Sequence, residues 1–156
     1  MPKFGSTSKK NMEGVHPLLI QILEILVKLF DVSVICGVRT TQEQQDLYAI
    51  GRTKDLNRKP VTSRDGVNKK SKHQIQEDGY GHAVDVTPYP IDWSEKHKNL
   101  ARFYMMAGYA FAIADTVLEG TGYELRWGGD WDSDKDFADQ NFDDLPHLEL
   151  VFVNDK

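Results

Sequence analysis

The chain has 156 residues and a single cysteine, Cys36, so no internal disulfide can form. Cys36 ends an apolar run that starts at Val32, and a buried, unreactive thiol is the usual outcome for a cysteine in such a run. The absence of a disulfide framework is typical of proteins that fold in a reducing cytoplasm. Nothing in the sequence therefore indicates a small secreted fold held together by disulfides.

A long hydrophobic run is also missing. The longest apolar zone, from Val15 to Phe30, is interrupted by polar residues that include Glu24 and Lys28. It is too short and too polar to span a bilayer, which needs about 20 consecutive apolar residues. Residues 1–5 carry charge, but no apolar segment of the signal-peptide kind follows them. We therefore expect neither membrane insertion nor export by a signal peptide.

The sequence has no surplus of positive charge. Its 19 Lys and Arg residues are outnumbered by 24 Asp and Glu residues, which gives a formal net charge of -5. Nucleic-acid binding depends mainly on neutralising phosphates, so no nucleic-acid partner is expected. One basic cluster, Lys69-Lys70 with Lys72, is interpreted as part of a solvated loop.

What remains is the composition of an ordinary globular protein, with 40% hydrophobic and 28% charged residues. We find no internal repeat and no low-complexity linker. A chain of this length can bury a substantial core, so residues 1–156 are expected to form a single domain.

The N-terminal part of the chain shows a helix, a strand and a second helix. Leucine and isoleucine at helical spacing predict a helix from Pro17 to Phe30. The β-branched residues of segment 32–38 predict a strand. Thr40 or Thr41 is expected to cap the next helix, which should end near Gly51.

The rest of the chain continues this mixture. The predicted segments are a surface loop over 52–72, a strand over 82–86, a helix capped by Ser94 with its body at 100–118, a strand over 123–127, an acidic loop over 128–146 and a strand over 148–153. Such a mixture predicts an α+β fold with a small, largely antiparallel sheet covered by helices. The polar residues of interest fall at strand edges and adjoining loops, so a cleft at the sheet is the expected site.

Two histidines and an aspartate, His73, Asp85 and His147, are candidate ligands of a catalytic zinc ion. Zinc takes imidazole and carboxylate ligands, and a hydrolytic site keeps one position open for water and has a base nearby. Asp144, three residues before His147, is the candidate base, with Asp143 as the alternative. A structural zinc site is disfavoured, because such sites are usually rich in cysteine and Cys36 is not near these residues in the sequence.

Several motifs in order resemble a known enzyme family. They are Ser71-Lys72-His73, Gly81-His82-Ala83-Val84-Asp85, and Asp144 before His147, together with Gly37-Val38-Arg39-Thr40 and the segment Arg126 to Trp131. This set resembles the zinc peptidases that cleave D-amino-acid-containing peptidoglycan peptides. That group includes D-alanyl-D-alanine dipeptidases and carboxypeptidases and the phage L-alanyl-D-glutamate endolysins. The N-terminal Phe4-Gly5-Ser6 and Val15-His16-Pro17 look most like the endolysins.

The resemblance implies roles for individual residues. His73, Asp85 and His147 would be the metal ligands, Asp144 the general base, and Arg39 the group that stabilises developing negative charge. The sequence departs from the family's compact pattern, because extra residues separate His73 from Gly81. His82 is therefore an alternative to His73 as a ligand.

Two further groups of residues are candidates for binding. Possible residues of the substrate cleft are Ser71, Tyr80 and Trp127. Alternating aspartates can surround Ca²⁺, which prefers several oxygen ligands, and the candidates here are Asp130, Asp132 and Asp134. The expected cofactors are thus one catalytic Zn²⁺ and a possible Ca²⁺.

The function implied by the resemblance is zinc-dependent hydrolysis of the L-alanyl-D-glutamate bond in the peptidoglycan stem peptide, as a phage endolysin in host cell lysis. Such a protein is expected to be a monomer, made in the host bacterial cytoplasm and acting on the wall after release. The alternatives are D-alanyl-D-alanine carboxypeptidase or dipeptidase activity at the same zinc site, and a non-catalytic wall-binding zinc module.

Overall fold

The computed structural model describes residues 1–154, which contain four helices and four strands. The helices are α1 (Ser6–Asn11), α2 (Pro17–Leu29), α3 (Thr41–Ala49) and α4 (His97–Val117). The strands are β1 (Val32–Cys36), β2 (Ala83–Pro88), β3 (Tyr123–Gly128) and β4 (Asp144–Phe152). No helix within the described residues is both long and apolar enough to cross a bilayer.

The strands form one antiparallel sheet in the order β1-β2-β4-β3. This confirms the predicted α+β fold with a small antiparallel sheet. The two central strands, β2 and β4, pair so that Asp85 lies directly opposite His147. Residues opposite each other in neighbouring strands have Cβ atoms about 5 Å apart on the same face, so the register alone brings these two side chains together.

The two faces of the sheet have different roles. Val84 and Val86 of β2 and Leu148 and Leu150 of β4 are fully buried in a core that also contains residues of α2 and α4. Because side chains alternate along a strand, Asp85, His147 and Glu149 must point to the opposite face. The core therefore fixes the sheet, and the sheet presents the polar residues on its other side.

The edge of the sheet at β1 is covered by α1, a short helix that the sequence patterns did not predict. The hydroxyl of Ser8 accepts a hydrogen bond from the backbone N–H of Val34 at 3.1 Å. The amide of Asn11 donates to the carbonyl of Val34 at 2.9 Å. These bonds satisfy backbone groups that an edge strand would otherwise leave open to another chain.

Two predicted boundaries are wrong. Helix α4 has Lys96 rather than Ser94 at its N-cap, since the carbonyl of Ser94 is held outside the helix by a 2.7 Å bond from the side chain of Asn99. Strand β4 starts at Asp144, earlier than the predicted Leu148, and Asp144 pairs with Gly128. A Cβ at Gly128 would lie 2.2 Å from the carbonyl oxygen of Asp144, so glycine permits this extension. Of the two predicted caps of α3, Thr40 and Thr41, the structure has Thr40 at the N-cap, in a capping box with Glu43.

Candidate active site

Three side-chain atoms from His73, Asp85 and His147 form a nearly equilateral triangle, which we call the ligand triangle. Oδ1 of Asp85 lies 3.3 Å from Nε2 of His73 and 3.4 Å from Nδ1 of His147. The two histidine nitrogens are 3.2 Å apart. All three side chains are largely removed from solvent. The residues that the sequence singled out as metal ligands thus converge on one point.

The extra residues before Gly81 do not displace His73, because they fold into a closed hairpin. Ile75 and Gly81 form an antiparallel bridge, and the N–H of Gln76 donates to the carbonyl of Tyr80 at 2.9 Å. On the other side of His73, the N–H of His82 donates to the carbonyl of Lys72 at 2.8 Å. The chain therefore leaves the site after His73 and returns to it at β2, which favours His73 as the ligand.

The alternative ligand, His82, lies in a different cluster. Its Nε2 is 2.7 Å from Oδ2 of Asp78, and its ring is 5.1 Å from that of His16. Nδ1 of His16 accepts the N–H of Leu18, so the neutral ring carries its proton on Nε2, which faces Asp78 at 3.7 Å. This cluster places the inserted hairpin beside the start of α2, where the backbone N–H of His16 also donates to the carbonyl of Gly81 at 2.9 Å.

Each member of the ligand triangle is oriented by a second group. The carbonyl of Gly37 accepts a hydrogen bond from Nδ1 of His73 at 2.8 Å, and Oε2 of Glu149 accepts from Nε2 of His147 at 2.9 Å. In its neutral form, each histidine therefore turns an unprotonated nitrogen towards the centre of the triangle. Oδ2 of Asp85 accepts from Nη2 of Arg39 at 2.8 Å, whereas its buried Oδ1 has no hydrogen-bond partner among the described residues.

The dimensions of the triangle fit a tetrahedral metal ion. Metal–ligand bonds of about 2.0–2.1 Å place neighbouring ligand atoms of a tetrahedron about 3.3–3.4 Å apart. The edges of 3.2, 3.3 and 3.4 Å match that spacing. A buried, unpartnered carboxylate oxygen beside two nitrogen lone pairs is costly without a cation. The donor set of two imidazoles and a carboxylate, with one side open to a cleft, is that of a catalytic zinc site.

Electrostatics at the triangle favour positive charge. Burial works against protonation of His147, but the nearby carboxylates of Asp85 and Glu149 outweigh it and raise the pKa of His147 to about 9. Burial likewise opposes ionisation of Asp85, yet the closeness of its Oδ1 to the rings of His147 and His73 holds the pKa of its carboxyl far below the usual value. A metal ion would take the place of the proton, because ligation requires the deprotonated nitrogen.

Glu149 and its partner Arg126 were not predicted as site residues. Glu149 lies on β4 two residues after His147, so both side chains point to the same face. Arg126, opposite Glu149 on β3, donates to Oε1 of Glu149 from Nε at 2.7 Å and also from Nη2. Despite burial, the bonds from His147 and Arg126 lower the pKa of Glu149 to about 2. The available sequence signal was Glu149 itself, two residues after the candidate ligand His147 and within the predicted strand over 148–153.

Asp144 lies beside the triangle, at the first position of β4. One carboxylate oxygen of Asp144 lies within 4.8 Å of ligand atoms of both Asp85 and His147. Burial, followed by the nearby Asp85 carboxylate, raises the pKa of Asp144 above its ordinary value. Its neighbour Asp143 is exposed and accepts a hydrogen bond from Gln140 instead. The geometry therefore favours Asp144 as the base.

Arg39 is held next to Asp85 rather than standing free in the cleft. Its Nη2 donates to Asp85, and its Nη1 donates to Oε1 of Gln44 at 3.4 Å. Arg39 also lines the cleft described below. That Arg39 stabilises developing negative charge stays a prediction. What the structure shows is that this side chain orients Asp85 by a hydrogen bond.

A cleft of about 750 Å³ opens over the triangle. Of the predicted cleft residues, Ser71 lines it, together with Trp131, whose ring is 5.3 Å from that of His147. Trp127 does not line it: the side chain is fully buried in the core, and its Nε1 donates to the carbonyl of Leu145 at 2.7 Å. Tyr80 is also outside the cleft, with its ring 5.5 Å from that of His16.

Cys36 is closer to the site than the sequence indicated. A bulge in β1 between Val34 and Cys36 places Cys36 opposite Asp85, on the face of the ligand triangle. Its sulfur lies within 4.8 Å of ligand atoms of His73 and Asp85. Cys36 is far from the motif in the sequence but close to it in space, because a bulge shifts a strand's register by one residue and so moves a side chain to the other face.

The acidic loop gathers three of its aspartates. Carboxylate oxygens of Asp130, Asp132 and Asp134 lie within 4.8 Å of one another. Asp130 is buried, and its Oδ2 is 3.4 Å from the ammonium of Lys135. These are possible metal ligands, and binding of calcium to them stays a prediction.

The chain is similar to known proteins over nearly its whole length. The family model of the phage L-alanyl-D-glutamate peptidases matches residues 1–151. The L-alanyl-D-glutamate peptidase of Escherichia phage T5 is 31% identical over 159 residues, which cover 96% of this chain and 98% of that protein.

Solved structures share the fold. The L-Ala D-Glu endopeptidase ChiX of Serratia marcescens superposes with a TM-score of 0.64 at 22% identity, over 96% of this chain and 91% of that one. The D,D-pentapeptidase VanY, solved in complex with Zn(II), superposes with a TM-score of 0.53 at 17% identity, over 88% and 72% of the two chains. With the family model matched from residue 1 to residue 151, the chain belongs to the phage L-alanyl-D-glutamate peptidases.

Proposed function

We propose that this protein is a zinc-dependent endopeptidase that hydrolyses the L-alanyl-D-glutamate bond of the peptidoglycan stem peptide. The observation that carries the proposal is the ligand triangle of His73, Asp85 and His147, with the carboxylate of Asp144 beside it and a cleft above. The relatives with the same activity in their names support the choice of bond.

The residues of the site divide the work of amide hydrolysis. A zinc ion held by the triangle would supply Lewis acidity to the scissile carbonyl and lower the pKa of water. Asp144, whose pKa is raised by burial, accepts a proton from the attacking water and passes it to the leaving amine. Negative charge that develops on the carbonyl oxygen is stabilised by the guanidinium of Arg39. One such preorganised hydrogen-bond donor often stabilises the transition state by about 3–4 kcal/mol.

The orienting groups keep the triangle in place during this reaction. Glu149 fixes His147 and the carbonyl of Gly37 fixes His73, so neither ring can turn away without losing a buried hydrogen bond. Such outer groups commonly change metal affinity or activity by about 10–100-fold when they are removed. Because the activity opens the cell wall, the protein fits the role of a phage endolysin in host cell lysis.

Digestion of purified peptidoglycan tests the proposal, with the products identified by mass spectrometry and bound zinc measured in the same preparation. We expect glycan strands on which each cleaved stem peptide is reduced to its L-alanine, and released peptides with a new D-glutamate N-terminus. Release of terminal D-alanine alone would instead assign D-alanyl-D-alanine carboxypeptidase activity. Stoichiometric zinc without any cleavage would indicate a wall-binding module.

Calcium binding by the acidic loop is a separate prediction. If Asp130, Asp132 and Asp134 bind Ca²⁺, the melting temperature should rise with calcium concentration, since a ligand that binds only the folded state stabilises it. Replacing Asp132 and Asp134 by asparagine should remove that rise while leaving the zinc content unchanged. A melting temperature that is indifferent to calcium in the unaltered protein would refute the site.

A further inference from the structure

The segment 61–72 contributes three positive side chains, Arg64, Lys70 and Lys72, to the wall of the cleft. We call them the basic rim. We propose that the basic rim binds carboxylate groups on the leaving side of the substrate, and so selects peptides in which the residue after the scissile bond is an acid. This inference rests on the proposed function, because it assigns part of the substrate to part of the same cleft.

The charge of the rim is local and uncompensated. The chain as a whole carries a net charge of -5, so a positive cluster at one wall of the cleft is not a general property of the surface. Within residues 1–154, none of the three rim side chains has a carboxylate within 4.0 Å. When side chains of one charge sign line a cleft, they strengthen the electric field inside it and attract ligands of the opposite charge.

Three carboxylates line the same cleft, and none of them forms an ion pair with the basic rim. Asp85 is paired with Arg39 and belongs to the ligand triangle, Glu149 is paired with Arg126 and His147, and Asp144 is the proposed base beside the triangle. Asp65 is the only acidic residue in the segment 61–72. Its carboxylate accepts hydrogen bonds from the backbone of residues 67 and 69 at 2.8 and 2.9 Å, so it shapes the loop instead of neutralising the rim.

The segment is held in place by buried side chains. Nε2 of the fully buried Gln44 donates to the carbonyl of Arg64 at 2.9 Å, and Nε2 of Gln74 donates to the carbonyl of Gly66 at 2.9 Å. Arg52 donates to the carbonyl of Thr62 at 3.0 Å. An ordered backbone lowers the entropy that must be lost when the rim binds a ligand, which distinguishes it from solvated lysines on a free loop.

The substrate supplies the matching charge. A glutamate whose amine forms the scissile amide keeps two carboxyl groups, and continuation of the peptide uses only one of them. The other is an anion next to the bond that is cleaved. Lys72 directly precedes the metal-ligand candidate His73 in the sequence, and Lys70 and Arg64 line the same cleft. With three positive side chains, the rim can also bind a second carboxylate, on the residue after glutamate.

Paired substrates test the rim. Synthetic stem peptides would carry either a free or an amidated glutamyl carboxylate, and in a second pair a free or an amidated carboxylate on the following residue. We expect the wild-type enzyme to have a lower KM for the peptides with free carboxylates than for the amidated peptides. Exposed or half-exposed ion pairs contribute a few-fold each, so the triple variant Arg64→Gln/Lys70→Gln/Lys72→Gln should raise KM for the acids by about 10–50-fold and lose the preference.

The control is Lys69→Gln, which removes one positive charge from the same segment at a residue that does not line the cleft. It should leave KM, the zinc content and the acid preference unchanged. If the triple variant loses the KM difference within one pair of substrates, the carboxylate that distinguishes that pair is the one that the rim binds. A triple variant that slows acid and amide peptides equally, or a wild type that does not distinguish them, would overturn the inference. Cleavage of all these peptides by wild type would still support the proposed function, so the two can fail separately.

Discussion

Replacing Asp144 by asparagine should lower kcat by about 100- to 10,000-fold while zinc remains bound at one equivalent. Asparagine keeps the size of the side chain but cannot accept a proton at neutral pH, and general acid–base catalysis is commonly worth that factor. Asp144 contributes none of the three atoms of the ligand triangle, so zinc should remain bound there. Release of D-glutamate N-termini from a defined stem peptide, measured beside the zinc content, gives both quantities.

The matched control is Asp143→Asn, one residue away. Asp143 is exposed and bonded to Gln140, so its loss should change kcat by less than about threefold. An Asp144→Asn protein that retains full activity would remove the role assigned to this carboxylate. Loss of zinc in that variant would mean that Asp144 acts as a ligand rather than as the base.

Asp85 and His147 were the more predictable members of the ligand triangle because each lies on or next to a predicted strand. Asp85 lies within the predicted strand over 82–86 and His147 directly precedes the one over 148–153, so they neighbour the core residues Val84 and Leu148, and the register of a central antiparallel pair follows from which face is buried. His73 was harder to predict, since a loop holds it. Only the closed hairpin between Ile75 and Gly81 shows that the extra residues leave it in place.

Features that depend on irregular backbone could not be predicted. The bulge in β1 that brings Cys36 to the triangle has no signature in the run of β-branched residues around it. The early start of β4 depends on the absence of a side chain at Gly128, which only the paired strand reveals. Trp127 was misassigned for a simpler reason, because an aromatic residue next to a candidate motif can face either side of a strand.

The residues that orient the metal-ligand candidates were not predicted, because their role follows from which side chains they contact in the fold and not from their residue type. Glu149 and Arg126 form an ion pair, and such pairs occur on the surface of most proteins. What distinguishes this pair is the 2.9 Å hydrogen bond from His147 to Glu149. Arg39, expected to act on the substrate, also has such an outer role through its bond to Asp85.

Replacing Asp85 by alanine should abolish zinc binding at micromolar concentrations and all peptidase activity with it. The carboxylate is the one anionic member of the ligand triangle, and its Oδ1 lies within 3.4 Å of both ligand nitrogens. Without it, two imidazoles remain, and a two-ligand site holds zinc far more weakly than the usual three. Competition with a chromophoric chelator would measure the affinity directly.

A graded series separates ligands from orienting groups. Glu149→Gln keeps the triangle but weakens the hydrogen bond that orients His147, so zinc affinity should fall by about 10–100-fold rather than vanish. His82→Gln should leave the affinity unchanged within about twofold, because His82 lies in the cluster with Asp78 and His16. Loss of zinc from His82→Gln, with His73→Gln unaffected, would reverse the assignment of the third ligand.

Thermal unfolding gives an independent reading of the same series, because a metal that binds only the folded state stabilises it by about 4 kcal/mol at a thousandfold excess over Kd. Wild type and His82→Gln should therefore show a zinc-dependent rise in melting temperature, and Glu149→Gln a smaller one at equal zinc. Asp85→Ala should show none. If Asp85→Ala still melted higher with added zinc, the ion would be bound elsewhere, and the ligand triangle would not be the metal site.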